Sequence, residues 1–371
     1  MKTKPPIAFH HLAAALVPAD AVGNCAVMMD EIVQENGHPT FLYAPLRAGG
    51  FTKSAGPMSR LPGRVRAGDV VVYHHSTGSD AAEVFLGMEE AQRVLVYHNI
   101  TPPLLLDREG EAFAASARGL AQLPVLSRAA DLCLAFSKFS ARDLRQAHAP
   151  IKIVPMPLSE KWCSALHAGA SKRANPHRSA KEELRLLHVG RVVPSKRLEI
   201  AIRAAEWLAR DEGKASVSLT LAGDTRADAA YVQHLVAYAR QHPSVRLRMT
   251  GSLSREALAE EYLSAHLYIC PSAHEGFCVP LIESMFAELP VVASASGAIP
   301  ETLAGAGIVL QDPSPEHFAE AARRILDDAE LSEKLRTSQR HVRQRYTIQA
   351  FKREWAQIIA GLVGHHKKLE E

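Results

Sequence analysis

Leu267-Tyr268-Ile269-Cys270-Pro271-Ser272-Ala273-His274-Glu275-Gly276-Phe277-Cys278-Val279-Pro280-Leu281-Ile282-Glu283 reads as three consecutive elements. A short apolar run, Leu267 to Cys270, has the look of a strand, and Pro271-Ser272 stops it. Pro280, whose fixed backbone angle suits a first helical turn, opens a helix that carries Glu283. Glu275 and Gly276 then lie just past the strand end, and the amides of Gly276 and Phe277 fall near the positive end of the helix. A strand running through a short loop into a helix is the unit from which parallel sheets covered by helices are built. Two carboxylates beside such amides suit an anion and a polyol together. The plainer alternative is a surface loop with two solvated acids.

The same pattern occurs upstream in Leu186-Leu187-His188-Val189-Gly190-Arg191-Val192-Val193-Pro194-Ser195-Lys196-Arg197, where an apolar run ends at a glycine and two cations, Arg191 and Lys196, stand five residues apart. Gly190-Arg191, Lys196 and the spaced pair Glu275/Glu283 together resemble the retaining glycosyltransferases of family four, and bacterial polysaccharide-assembly enzymes among them. Further pieces of the resemblance follow in order: Ala222-Gly223-Asp224, Thr250-Gly251-Ser252-Leu253 and Gly297-Ala298-Ile299-Pro300-Glu301. The resemblance implies the GT-B fold, α/β with two doubly wound Rossmann-like domains facing each other across a cleft.

The rest of the chain has the matching rhythm. Apolar runs at Ile7 to His11, Thr40 to Tyr43, Val70 to Tyr73, Val94 to Tyr97, Leu132 to Phe136 and Ile151 to Val154 alternate with helix-length segments such as Asn24 to Glu35 and Ser140 to Gln146. The pattern restarts with Leu184 to Val189, Val217 to Ala222, Val245 to Met249, Leu267 to Cys270, Val291 to Ala293 and Ile308 to Leu310. Helices are predicted at Pro315 to Asp328, Leu331 to Arg343 and Ile348 to Leu362. This gives an acceptor-side domain at 1–160, a polar, turn-rich linker at 161–182 and a nucleotide-sugar-binding domain at 183–346. By resemblance, a terminal helix at about 347–371 packs back on the first domain.

At 371 residues, with 47% hydrophobic and 22% charged, the chain is long enough for two domains that each bury a core. A net charge of +3, without a basic stripe interleaved with aromatics, argues against a nucleic-acid partner. Five scattered cysteines without a Cys-x-x-Cys pair indicate neither a disulfide framework nor a structural zinc site, and a reducing cytoplasm is expected. No apolar stretch of about eighteen residues suggests a membrane span. Arg47, Lys53, Arg60, Arg64 and Arg66, set among Gly and Pro, form either a solvated loop or a contact with anionic lipid headgroups, so a position at the inner face of a membrane is expected as the alternative to free solution.

The resemblance also assigns roles. Arg191 and Lys196 would hold the diphosphate of a nucleotide-sugar donor, with Gly190 giving close backbone approach, and these cations would stand in for a metal, so that neither metal nor cofactor is expected. Glu283 would accept from both ribose hydroxyls, and Glu275, with Gly276 and Phe277, would hold the transferred sugar. Gly251, Ser252 and Leu253 would edge the base. In the first domain, Gly23 and Asn24 would offer helix-start amides to phosphate unless Asn24 is a plain helix cap. His98, after Tyr97, would face the donor sugar. His74 and His75 would bind a saccharide or polyisoprenyl-linked saccharide acceptor unless they are satisfied structural histidines. A metal held by His10, His74 and His98 lacks the acidic partners such a site would need. Lys138, in a strand-to-helix turn, would approach phosphate.

The expected activity is retaining transfer of a hexose from a GDP- or UDP-linked donor. A nucleotide-sugar epimerase on the same fold is the alternative. A nicotinamide dehydrogenase would need a Gly-x-Gly-x-x-Gly after a strand, which is absent, and a non-catalytic binding protein would not need the four charged residues. A glycoside hydrolase would explain two carboxylates but not Arg191 with Lys196.

Overall fold

The structure, a computed structural model, describes residues 6–17, 20–47, 55–171, 183–211 and 216–368. It divides into two compact units, Met1–Met156 with Gln349–Glu371, and Pro157–Ile348.

Among the described residues of the first unit, seven strands form a parallel sheet in the spatial order Gly56–Pro57, Thr40–Ala44, Phe9–Ala13, Val70–His75, Gln92–Tyr97, Leu132–Ala135, Ile151–Ile153. The central strands Phe9–Ala13, Val70–His75 and Leu132–Ala135 are buried along their whole length, as expected where helices cover both faces. The helix Ile348–Lys368 belongs to this unit. Phe351, Trp355, Ile358 and Leu362 recur every three or four residues on its buried face, and Trp355 donates its indole N–H to the carbonyl of Met29 at 3.1 Å.

The second unit holds six parallel strands among the described residues, ordered Val245–Gly251, Val217–Ala222, Leu184–Val189, Leu267–Cys270, Val291–Ser294, Ile308–Leu310. Taken in chain order the strands run 3-2-1-4-5-6 across the sheet, so the winding reverses between Leu184–Val189 and Leu267–Cys270. That reversal opens a crevice beyond the carboxyl ends of those two strands, the place where open α/β sheets hold ligands. Leu186, Leu219, Leu267 and Ile269 pack against Leu198 and Ile202 of the helix Leu198–Asp211 and against Phe318 and Ile325 of the helix Pro315–Asp327.

The segment expected as a linker differs from its reading. Its first part is the helix Glu160–Ser171 of the second unit, with Trp162, Cys163 and Leu166 buried. Three apolar residues spaced to one helix face were enough to fix it, despite the Gly, Ala and Ser around them. Residues 172–182 lie outside the described residues. The first unit accordingly ends at Met156 and not at residue 160.

Candidate functional site

Two loops leave the reversal point of the second sheet. After Val189, Gly190 adopts φ +151°, and the backbone of Gly223 lies so close that a Cβ on Gly223 would fall 2.1 Å from the Gly190 carbonyl oxygen. Only glycines allow these two loops to touch. A short 3-10 turn, Pro194–Lys196, then aims Lys196 across the crevice. The loop after Cys270 is tied to it. Ala273 N–H donates to the Ser195 carbonyl at 2.8 Å, and Arg197 donates to the carbonyls of Pro271 and Ser272 at 2.7 and 3.1 Å.

Within this frame Lys196 Nζ lies 2.5 Å from Glu275 Oε1, and Ser272 Oγ donates to the same oxygen at 2.8 Å. Burial pushes the Glu275 carboxyl up, but Lys196 and the Ser272 hydroxyl outweigh it and leave the group below its ordinary value. Burial pulls Lys196 down, and Glu275 more than restores it, so its pKa ends above the ordinary value. The two groups are charged together. Gly297, at φ +60°, backs the loop: a Cβ there would fall 2.2 Å from the Glu275 carbonyl oxygen, which already accepts from Ala298 N–H at 2.8 Å.

Glu283 stands on the helix Val279–Phe286, with Pro280 in the first turn. As the fifth residue of that helix it opens the second turn. The residue is 9% exposed, with Oε1 accepting from Trp162 Nε1 at 2.9 Å and Oε2 from Tyr262 Oη at 2.6 Å. Burial raises its pKa, against the lowering effect of those two donors. Each oxygen retains acceptor capacity beyond its one protein donor, so the group can still take hydroxyl donors from a ligand.

Arg191 is exposed at the mouth of the loop. Phe277 is buried edge-on to Tyr346, with its carbonyl accepting from Thr302 Oγ1 at 2.6 Å, and Gly276 precedes it. Gly251 ends its strand at φ +67°, and Ser252 and Leu253 follow it in a loop. Gly190, Lys196, Glu275, Gly276 and Phe277 thus belong to the two tied loops. Gly251, Ser252 and Leu253 follow the edge strand of the same sheet.

In the first unit three histidines make a chain: His11 Nδ1 lies 3.1 Å from His74 Nε2, and His74 Nδ1 lies 3.0 Å from His98 Nε2. Burial holds His74 and His98 well below the ordinary imidazole value, so these two rings are neutral at physiological pH. Asn99, at φ +69°, turns the backbone after His98. His75 points elsewhere, its Nε2 on the Gly119 carbonyl at 2.9 Å and its Nδ1 on Tyr73 Oη at 3.2 Å. Those two bonds use both ring nitrogens, which corrects the acceptor-binding expectation for His75 to a structural one. His74, fully buried between two imidazoles, is likewise corrected. His10 pairs with Asp69 at 3.4 Å and does not join His74 and His98.

The amides of Gly23 and Asn24 are also corrected. The helix Ala21–Glu35 is capped by Asp20, whose carboxylate accepts from Gly23 N–H at 3.0 Å and whose carbonyl accepts from Asn24 N–H at 3.0 Å. A carboxylate occupies the place where an anion was expected, and Asn24 is not the cap. Lys138 is exposed at the start of the four-residue helix Lys138–Ala141. Arg66 is engaged by Asp69 at 3.3 Å, Arg64 stacks over Phe41 at 5.8 Å, and Arg60 is exposed. Lys53 and the side chain of Arg47 lie outside the described residues. No described helix is long and apolar enough to cross a membrane.

The fold, two parallel-sheet α/β domains, is that of GT-B glycosyltransferase structures. The crystal structure of Anabaena HepE in complex with UDP-glucose superposes with a TM-score of 0.70 at 16% identity, covering 96% of this chain and 100% of that one. The lipopolysaccharide-biosynthesis glycosyltransferase WaaG superposes at 0.68 and 15% identity, covering 95% and 100%. Residues 171–342 match the family model described as Glycosyl transferases group 1. The D-inositol 3-phosphate glycosyltransferase of Kineococcus radiotolerans is 28% identical over 238 residues, 59% of this chain and 54% of that enzyme. The chain spans about half the length of that curated relative.

Proposed function

We propose that this protein is a retaining glycosyltransferase that moves a hexose from a nucleoside diphosphate sugar to a saccharide or lipid-linked saccharide acceptor in surface polysaccharide synthesis. The observation that carries the reading is the Lys196–Glu275 ion pair at the reversal point of the second sheet, with Arg191 exposed on the loop that carries Lys196 and Glu283 on the helix that follows Glu275. Arg191 and Lys196 neutralise the diphosphate as the bond to the anomeric carbon breaks, in the role elsewhere filled by a metal ion. The paired state of Lys196 and Glu275 supports this: the ammonium is already charged and already held before a ligand arrives. Glu283 accepts the ribose hydroxyls from a carboxylate locked by Trp162 and Tyr262, and Glu275 holds the sugar. With retention, the leaving phosphate oxygen takes the acceptor proton, so no side-chain base is required.

The names of the similar proteins support the substrate class. HepE was crystallised with UDP-glucose, which favours a UDP-linked donor, and WaaG acts in lipopolysaccharide biosynthesis, which favours a glycan acceptor. The exposed cations Arg60 and Arg64 support contact with anionic headgroups at the cytoplasmic face of a membrane. The test is a thermal-shift screen of nucleoside diphosphates and their sugars, because a ligand that binds only the native state raises its melting temperature. One nucleoside diphosphate should raise it above all others. A uniform absence of shift at millimolar concentrations would remove the proposal.

A further inference from the structure

Cys270 closes the strand Leu267–Cys270 and Cys278 caps the helix Val279–Phe286, so folding brings two thiols eight residues apart to the two sides of the Glu275 loop. Among the described residues, Cys270 Sγ, Cys278 Sγ and a carboxylate oxygen of Glu275 lie within 4.8 Å of one another. Both thiols are buried, 0% and 7% exposed. Cys278 holds φ +69°, a conformation a glycine would adopt at less cost, and in doing so presents its thiol to this cluster.

A second observation lies beside this cluster. His188 Nδ1 lies 2.9 Å from the carbonyl of Ile269; a carbonyl only accepts, so Nδ1 carries the proton and Nε2 presents a lone pair. That Nε2 is buried without a hydrogen-bond partner, on a residue 1% exposed. Buried polar atoms are rarely left so. A Cβ on Gly190 would sit 3.6 Å from His188 Nε2 and 3.7 Å from Lys196 Cε, so the lone pair and the lysine chain flank one point, and Lys196 reaches on to Glu275.

We propose that Cys270, Cys278 and Glu275 bind a zinc(II) ion, with the fourth position left to solvent. Two sulfurs and one carboxylate oxygen are donors that zinc takes in its tetrahedral sites, with bonds of about 2.3 Å to sulfur and about 2.0–2.2 Å to oxygen. The Lys196 and Ser272 contacts both fall on Oε1 of Glu275, and Oε2 is the oxygen the cation takes. Charge closes as well. As the zinc–sulfur bonds form, two thiol protons leave to solvent; the two thiolates and the carboxylate then balance the zinc ion together with the Lys196 ammonium, so no net charge is buried. The sequence spacing gave no sign of this, since the cysteines form no Cys-x-x-Cys pair.

Zinc held there shares Glu275 with the donor. On the reading given under Proposed function, metal and nucleotide sugar therefore exclude each other, and the site is an inhibitory one. The metal site itself does not depend on that reading.

The experiment is a titration of reduced, metal-free full-length protein with cobalt(II), then zinc(II), followed by absorption spectroscopy. One equivalent of cobalt should give a thiolate-to-metal band and tetrahedral visible bands that zinc displaces. Cys270→Ser should weaken zinc binding by more than about tenfold, and so should Cys278→Gly, whose backbone suits φ +69° and which therefore keeps the fold. Cys25→Ala, a buried thiol elsewhere, should change nothing. Absence of the thiolate band in folded wild-type protein, or its survival at full strength in Cys278→Gly, would overturn the site. If the band forms and one equivalent of zinc leaves nucleotide-sugar affinity unchanged, the zinc site stands and Glu275 loses its proposed place on the donor.

Discussion

Replacing Trp162 by Phe keeps an aromatic ring under Arg255, which stacks 5.6 Å above it, and removes one hydrogen bond, the 2.9 Å donation to Glu283 Oε1. At neutral pH the acceptor is a buried carboxylate, for which loss of one donor costs about 1.5–3 kcal/mol, against about 0.5–1.5 kcal/mol when the carboxyl is neutral. The pH dependence follows from the direction of the Glu283 shift. Its folded pKa lies above the ordinary 4.5, so the folded state binds the proton more tightly than the unfolded chain. Stability therefore falls as pH rises from the unfolded value to the folded one, and levels off above it. Trp162 donates to the ionised form, so its loss raises the folded pKa further and extends that falling window upward. The gap between wild type and Trp162→Phe should accordingly widen with pH. At pH 8 it should approach about 2 kcal/mol, roughly 4–8 °C for a unit of this size, and it should shrink as pH falls below the folded pKa of Glu283. Dye-monitored melting from pH 5 to pH 8 measures it. A gap that is constant with pH, or that widens toward acid, would show that Trp162 does not hold an ionised Glu283.

Arg191→Ala should lower turnover by about a hundredfold or more while leaving the melting temperature within about 2 °C, because the side chain is exposed and the loss falls on charge stabilisation. Lys196→Ala, in contrast, leaves Glu275 buried beside two thiols and should cost about 3 kcal/mol of stability as well as activity, read by denaturant titration and turnover together. Gly297→Ala drives a Cβ to 2.2 Å from the Glu275 carbonyl at a positive φ, so turnover should fall with little change in the first unit's unfolding transition; normal turnover would refute the role of that close approach. His98 is held neutral by burial and, after that, by the electrostatic cost of protonating it beside His74 and His75, so kcat/KM should show no acidic limb centred near pH 6.5 that disappears in His98→Asn.

Strand positions were readable because each is a short apolar run closed by Gly, Pro or a polar turn, and fully buried parallel strands leave that mark. Leu184–Val189, Val217–Ala222, Leu267–Cys270 and Ile308–Leu310 match their expected bounds, since nothing local competes with the pattern. The charged residues of the second unit were readable for a different reason: they follow strand ends directly, so sequence spacing translates into position. What escaped lies in tertiary partners. Trp162 and Tyr262 reach Glu283 from 121 and 21 residues away, and the helix bearing Trp162 sat in a stretch whose Gly, Ala and Ser concealed a three-residue apolar face. The spacing of Trp162, Cys163 and Leu166 was the available signal. The histidine chain needed the register of three strands to place His11 and not His10 beside His74, because alternate residues point to opposite sheet faces. At Asp20 the acidic cap was visible in the sequence, and its claim on the Gly23 amide follows from ordinary capping.

Calorimetric titration of the nucleoside diphosphate selected by the thermal screen, into wild type and Glu283→Gln, tests the central claim most directly. Glu283→Gln keeps the shape and hydrogen-bond reach of the side chain while removing the carboxylate that is to grip the ribose. Affinity should fall by about tenfold or more, the loss of a charge-assisted hydrogen bond pair. Equal affinities in two equally folded proteins would contradict it.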